Sequence, residues 1–140
     1  MRQNFYRTYV QAEILNADPI KLVCLLYRGA LERVAEARQC QKRGDIAGRS
    51  RAVSRATAII NELMLSVDRQ QGAEIAGNLI ELYDYIVRCL NEGNFRQTDE
   101  PFQEAENLLG TLASAWEECV GGTSGTAGAD ALYAPVCYAG

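Results

Sequence analysis

Histidine is absent from the 140 residues, which removes His-based triads, histidine metal sites and the commonest general base at neutral pH. Long apolar runs are absent too. The longest, Leu22 to Tyr27, has six residues, against roughly 18 for a membrane span, and Met1-Arg2-Gln3-Asn4 leads into no signal-type apolar stretch. The expectation is a cytoplasmic protein (cytosol) without membrane insertion. No two glycines stand in a G-x-G-x-x-G or P-loop arrangement, so no phosphate cradle is written in the chain. The five cysteines, Cys24, Cys40, Cys89, Cys119 and Cys137, have neither metal-ligand nor Cys-x-x-Cys spacing, and their odd number argues against a disulfide framework. A di-metal site of the Glu-x-x-His kind needs the missing histidines. No catalytic residue, no metal and no cofactor is therefore expected, and the chain is not read as an enzyme.

What is present is a globular composition, 48% hydrophobic and 23% charged with net charge -4, suited to one core. The charge is unevenly spread: residues 1–69 sum to +5 and residues 70–140 to -9. Two helical hairpins of opposite sign would attract each other. A basic face for nucleic acid is the other reading, but the basic residues lack interleaved aromatics, so no nucleic-acid partner is expected.

Glycine and proline punctuate the chain. Up to residue 120 there are two prolines and seven glycines, whereas residues 121–140 hold five glycines and Pro135, so 1–120 reads as the folded unit and 121–140 as a flexible Gly-rich tail. Asp18-Pro19 reads as an N-cap with proline at the first helical position, Gly44 as the stop and Asp45 as the cap of the next helix. In the second helix Val53, Ala56, Ile60, Leu63 and Val67 step by three and four. The third carries two stripes, Ile75, Leu79, Leu82, Ile86, Cys89 and Ala76, Ile80, Tyr83, Val87, Leu90, with Gly93-Asn94 as its expected end. Pro101 opens a fourth helix with Phe102, Ala105, Leu109, Leu112 and Trp116 on its buried face.

Four amphipathic segments of about 20 residues joined by short turns predict an all-α fold, an antiparallel up-down four-helix bundle. Residues 1–17 form an N-terminal cap segment with Phe5, Tyr6 and Tyr9, too short to be stable unless it docks as a short N-terminal cap helix. Ile60, Leu63, Leu79, Leu82 and Leu109 are assigned to the core. Tyr27, Ile59, Ile80, Tyr83 and Val87 fall on second stripes and are assigned to a groove for a partner helix, though any one of them could simply widen the core. The tail segments Ala131-Leu132-Tyr133 and Val136-Cys137-Tyr138 lie beyond a Gly/Ser/Thr/Ala-rich stretch. They read either as a solvated extension or as apolar groups that return to a groove and compete with its ligand.

Particular residues carry a resemblance. Tyr9, Ile14 and Ala17-Asp18-Pro19, followed by Leu22 and Leu25-Leu26-Tyr27-Arg28-Gly29-Ala30, resemble the N-terminal signature of the FliS family, the flagellin-specific export chaperones. The stretches from Ala56 to Asp68, Ala73 to Asn94 and Leu112 to Glu117 are similar as well, over residues 5 to 119 in all. Asp18 stands where that family usually has Ser and still serves as a cap, while Ala12 and Asn16 stand where Asn and Thr are usual. The resemblance implies a small bacterial protein that binds the disordered C-terminal segment of flagellin, prevents its premature polymerisation and helps deliver it to a component of the flagellar type III export gate. It also implies that the N-terminal segment moves when client binds. The alternative is a helical adaptor regulating flagellar assembly through a different protein partner.

Overall fold

The computed structural model of the chain describes residues 19–67 and 72–121. They form four helices, α1 (Pro19–Arg43), α2 (Ile46–Ser66), α3 (Ala73–Arg96) and α4 (Glu100–Gly121), and no strand occurs among the described residues. The expected cap segment bearing Phe5, Tyr6 and Tyr9 lies outside the described residues, as does the expected tail except for Gly121, which is the last residue of α4.

Local chemistry sets the turns. Gly44 takes φ 71°, a left-handed conformation that costs glycine nothing. There its N–H reaches Gln41 O at 3.2 Å and the Asp45 N–H reaches Cys40 O at 2.9 Å, which satisfies the last carbonyls of α1. The Asp45 carboxylate then accepts from Gly48 N at 2.9 Å and caps α2. Two residues thus end one helix and begin the next.

The end of α3 corrects the sequence expectation. Gly93-Asn94 does not stop the helix, which continues to Arg96 and turns at Gln97 with φ 58°. Gly93 serves close packing instead: a Cβ there would lie 2.9 Å from the Phe102 ring of α4. The left-handed backbone at Gln97, unusual for a residue with a Cβ, is held from α1, where the Gln41 side-chain amide donates to Gln97 O.

Consecutive helices run antiparallel, and the bundle closes as α4 packs on α1. The closure is visible in Arg38, near the end of α1, which reaches Asp99 just before α4 and Glu106 in its second turn. In ring order α1 and α3 face each other across the core, as do α2 and α4. Small buried residues, Ala30 and Ala37 on α1 with Ala52 and Ala56 on α2, allow close approach of backbones. Larger side chains, Leu26, Val34, Ile60, Leu63, Ile86, Leu90, Phe102 and Leu109, fill the interior. Ile60, Leu63 and Leu109 occupy the core positions expected of them; Leu79 and Leu82 are only half-buried. Ile75, expected on the same stripe, is 63% exposed at the start of α3.

Candidate functional site

Helix α3 leaves apolar surface uncovered, as α2 does at Ile46 and Leu65, and two contacts orient it. Asn94 Oδ1 accepts from Arg49 Nε at 2.8 Å and from Ser50 Oγ at 3.3 Å, both on α2. Gly93 packs against Phe102 of α4. Residues seven apart share a helix face, so the Asn94 face carries Val87 and Ile80 toward α2. Residues eleven and eighteen before Gly93, Leu82 and Ile75, turn toward α4 by the same periodicity.

On the α2 side the two rows match. Ser50, Thr57 and Met64 step by seven along α2, and Asn94, Val87 and Ile80 step by seven back along α3. Since Ser50 bonds Asn94, antiparallel register sets Thr57 beside Val87 and Met64 beside Ile80. Met64, Ile80 and Val87 are all half-buried against the core. Thr57 Oγ1 is buried without a hydrogen-bond partner, an uncommon state for a hydroxyl that desolvation penalises. The seam is therefore an apolar ladder with one unsatisfied polar group sealed beneath it.

One end of this seam is closed by a buried cation. Arg49 is 3% exposed and donates to Asn94 Oδ1, to Asn94 O at 3.1 Å and to Gln41 Oε1 at 2.7 Å. These neutral acceptors distribute its hydrogen bonds over α1 and α3, the condition under which a charge tolerates burial. Arg38 fixes the α1 and α4 pair differently. Its Nε and Nη2 grip both oxygens of Asp99 at 2.8 and 2.7 Å while Nη1 meets Glu106 at 2.5 Å, the bidentate geometry a guanidinium favours. The hydrogen bond from Arg38 holds the Asp99 carboxyl below its ordinary value, and the same carboxylates push the guanidinium upward. The attraction between the basic and acidic halves takes this local form.

Among the described residues nothing has the character of a reactive centre. Burial pushes the Cys89 thiol up, the opposite of nucleophilic activation. Cys40 is buried and Cys24 half-buried. Tyr85 donates to Glu104, which raises its phenol, and lies 5.8 Å from the Arg88 guanidinium. Among the described residues no cluster of His, Cys, Asp and Glu could hold a metal ion, and no helix is long and apolar enough to cross a membrane.

Known proteins share this sequence pattern. The family model described as flagellar protein FliS matches residues 2–123. The chain belongs to the FliS family. The flagellar secretion chaperone FliS of Salmonella typhimurium is 37% identical over 110 residues, 78% of this chain and 82% of that protein. The flagellar secretion chaperone FliSB of Pseudomonas aeruginosa is 32% identical over 115 residues, covering 82% and 91%. The flagellar secretion chaperone FliS of Bacillus subtilis is 27% identical over 118 residues, covering 84% and 87%. The four-helix bundle is thus that of a FliS-family flagellar secretion chaperone.

The five side chains assigned to a groove from sequence divide in this FliS-family bundle. Ile80 and Val87 lie half-buried on the α2–α3 seam. Tyr27, Ile59 and Tyr83 do not form a surface stripe; the first and last are 0% exposed and Ile59 is 3% exposed. Ile59 shares its face with the buried Ala52, Ala56 and Leu63. The tyrosines cross the bundle diagonal with their polar tips satisfied, Tyr27 Oη 2.5 Å from Tyr83 Oη and accepting from Trp116 Nε1 at 3.1 Å. A hydroxyl that finds partners inside lets a tyrosine be core. Sequence reasoning misses this network and the two arginine clamps. The arginines carry a signal: Arg38 continues the heptad step of Cys24 and Leu31, and Arg49 sits seven before Ala56, so each interrupts an apolar stripe with a cation.

Proposed function

We propose that this FliS-family chain is a cytosolic export chaperone that binds the C-terminal segment of flagellin along the α2–α3 seam, prevents its premature polymerisation and assists its delivery to the flagellar type III export gate. The observation that carries the reading is the row Met64, Ile80 and Val87, half-buried beside the unpartnered Thr57 hydroxyl. An amphipathic helix laid on such a row completes the burial of each side chain, a gain of at most about 1 kcal/mol apiece because each is already largely buried. Ordering a disordered client opposes part of this gain, which suits a complex that must be undone at export.

In the same reading residues 1–120 form the working unit and the segment bearing Phe5, Tyr6 and Tyr9 packs over the bundle, moving when client binds. It precedes Pro19, at the end of the bundle where Ile80 and Met64 lie. A segment of that length is marginal as an isolated helix and is displaced at little cost.

Calorimetric titration with a synthetic flagellin C-terminal peptide tests the reading. Binding that Ile80→Ser and Val87→Ser weaken, with the fold intact, supports it. Absence of binding, together with co-purification of a flagellar protein other than flagellin, would replace it by an adaptor role.

A further inference from the structure

A second apolar seam lies on the other flank of α3. Leu82 turns toward α4, as does Ile75 at the open end of the helix. On α4, Leu108 stands one turn beyond Glu104, which Tyr85 of α3 reaches, and Leu112 one turn further. Leu82, Leu108 and Leu112 are half-buried and Ile75 is largely exposed. Apolar side chains left this way on both lips of one seam mark a place for another segment.

The chain beyond α4 offers a fitting occupant. The FliS family match ends at residue 123, so residues 124–140 belong to this chain rather than to the family pattern. Residues 121–130 read GGTSGTAGAD, and residues 131–138 read ALYAPVCY. The nine residues 122–130 of this composition, beyond the end of α4, span about 15–18 Å on average. Measured back along α4 from Gly121, at about 1.5 Å per residue, Leu112 lies about 14 Å away and Leu108 about 20 Å. The apolar segment therefore begins at the distance where the leucines stand. Of the two seams that α4 borders, the one with α1 presents Leu31, Cys24 and Ala113 and is clamped by Arg38; the one with α3 presents Leu82, Leu108 and Leu112, with Ile75 exposed at its end. Leu132, Tyr133, Val136 and Tyr138 suit a half-open seam, since tyrosine buries its ring and leaves its hydroxyl in water. Pro135 disfavours a helix and so favours an extended strip.

We propose that residues 131–138 dock in cis on the α3–α4 seam, against Leu82, Leu108 and Leu112, leaving the α2–α3 seam to other ligands. The linker sustains this by effective concentration rather than by a large interface. The test uses the full chain with Leu132→Ser, Tyr133→Ser and Val136→Ser combined, observed through the methyl NMR signals of Leu82, Leu108 and Leu112. The expected result is a shift of these three signals relative to the unsubstituted chain, independent of protein concentration and reproduced when residues 122–140 are deleted. Unmoved signals overturn the proposal. A shift that depends on protein concentration assigns the seam to a second copy and overturns it as well. So does a shift that appears on removing residues 2–17 but not on substituting the tail, since the N-terminal segment would then be the occupant.

Discussion

Tyr27 and Tyr83, on helices that do not follow one another in the ring, bring their phenolic oxygens to 2.5 Å in the middle of the bundle. Their rings lie 6.4 Å apart between centroids, tilted by 47°, and Trp116 adds the indole N–H from α4. Two hydrogen bonds among three aromatic residues thus tie α1, α3 and α4 together. They also specify the alignment of those helices, because a shift by one turn would strand buried donors.

The first prediction rests on that asymmetry between satisfied and stranded groups. Tyr27→Phe removes the acceptor of this Trp116 N–H bond and the hydroxyl that meets Tyr83, and is expected to cost about 1 to 3 kcal/mol. The Tyr27→Phe, Tyr83→Phe double variant is expected to lose less than the sum of the two single losses, because the second change removes a hydroxyl that has already lost this contact. Urea unfolding of the four proteins in the cycle measures this. Additive losses would mean that the hydroxyls do not act on each other.

Core and seam are predicted to respond in opposite ways to substitution. Leu63→Ala and Leu109→Ala, at fully buried positions, should each cost about 2 to 5 kcal/mol of stability. Ile80→Ser and Val87→Ser remove side chains that water already reaches, and should cost less in folding than they cost in binding of a flagellin C-terminal peptide. Unfolding curves and calorimetry on the same samples separate the two effects. Equal losses in both would make the α2–α3 row part of the core.

How much of this is legible in the sequence depends on what periodicity encodes. Helix existence, the Gly44-Asp45 reversal and the central residues Ile60, Leu63 and Leu109 come from step and punctuation, because each is a local requirement of backbone geometry or of one helix face. Periodicity gives the width of an apolar face but not how neighbouring helices divide it. Hence it leaves Tyr27 and Tyr83 as surplus, while their burial depends on a mutual hydroxyl contact 56 positions apart. The same rule puts Leu79 and Leu82 in the core, and the start of α3 leaves them half-open. Gly93 looks like a helix stop because the alternative, a Phe102 ring pressed against it from α4, is a tertiary fact. The family resemblance supplies the chaperone reading, which no spacing of apolar residues gives.

Acid is predicted to loosen the contact between α1 and α4. The Asp99 carboxyl is held below its ordinary value by Arg38, so the folded state favours the ionised form more than the unfolded chain does. Its contribution is therefore present above the unfolded value, about 3.9, and is lost as pH falls through the lower folded value. Urea midpoints compared at about pH 6 and about pH 3 should fall less in Asp99→Asn than in the unsubstituted protein. The difference is expected to be small, because the Asp99 side chain is 37% exposed and water screens the pair. An identical fall in both proteins would show that the ion pair contributes nothing measurable.

Three glycines in helices give the last prediction, since alanine at each has the same propensity effect and differs only in what its methyl group meets. At Gly77 of α3 and Gly110 of α4 a Cβ would find nothing within 4 Å. Alanine there should stabilise by about 0.5 to 1 kcal/mol, through the lower backbone entropy of the unfolded chain. At Gly93 the Cβ would lie 2.9 to 3.1 Å from three atoms of the Phe102 ring. That ring is 0% exposed and cannot swing into solvent without opening the core beneath α3 and α4. Overpacking of this kind costs about 1 to 3 kcal/mol and exceeds the propensity gain, so Gly93→Ala should be destabilising. The companion change Phe102→Leu tests the cause: it should be destabilising alone, as a buried aromatic is lost, yet less so in the Gly93→Ala background, where the smaller side chain relieves the clash. Thermal unfolding of the single and double variants gives the sign, and an alanine at 93 that raises stability as it does at 77 would detach Gly93 from the packing of Phe102.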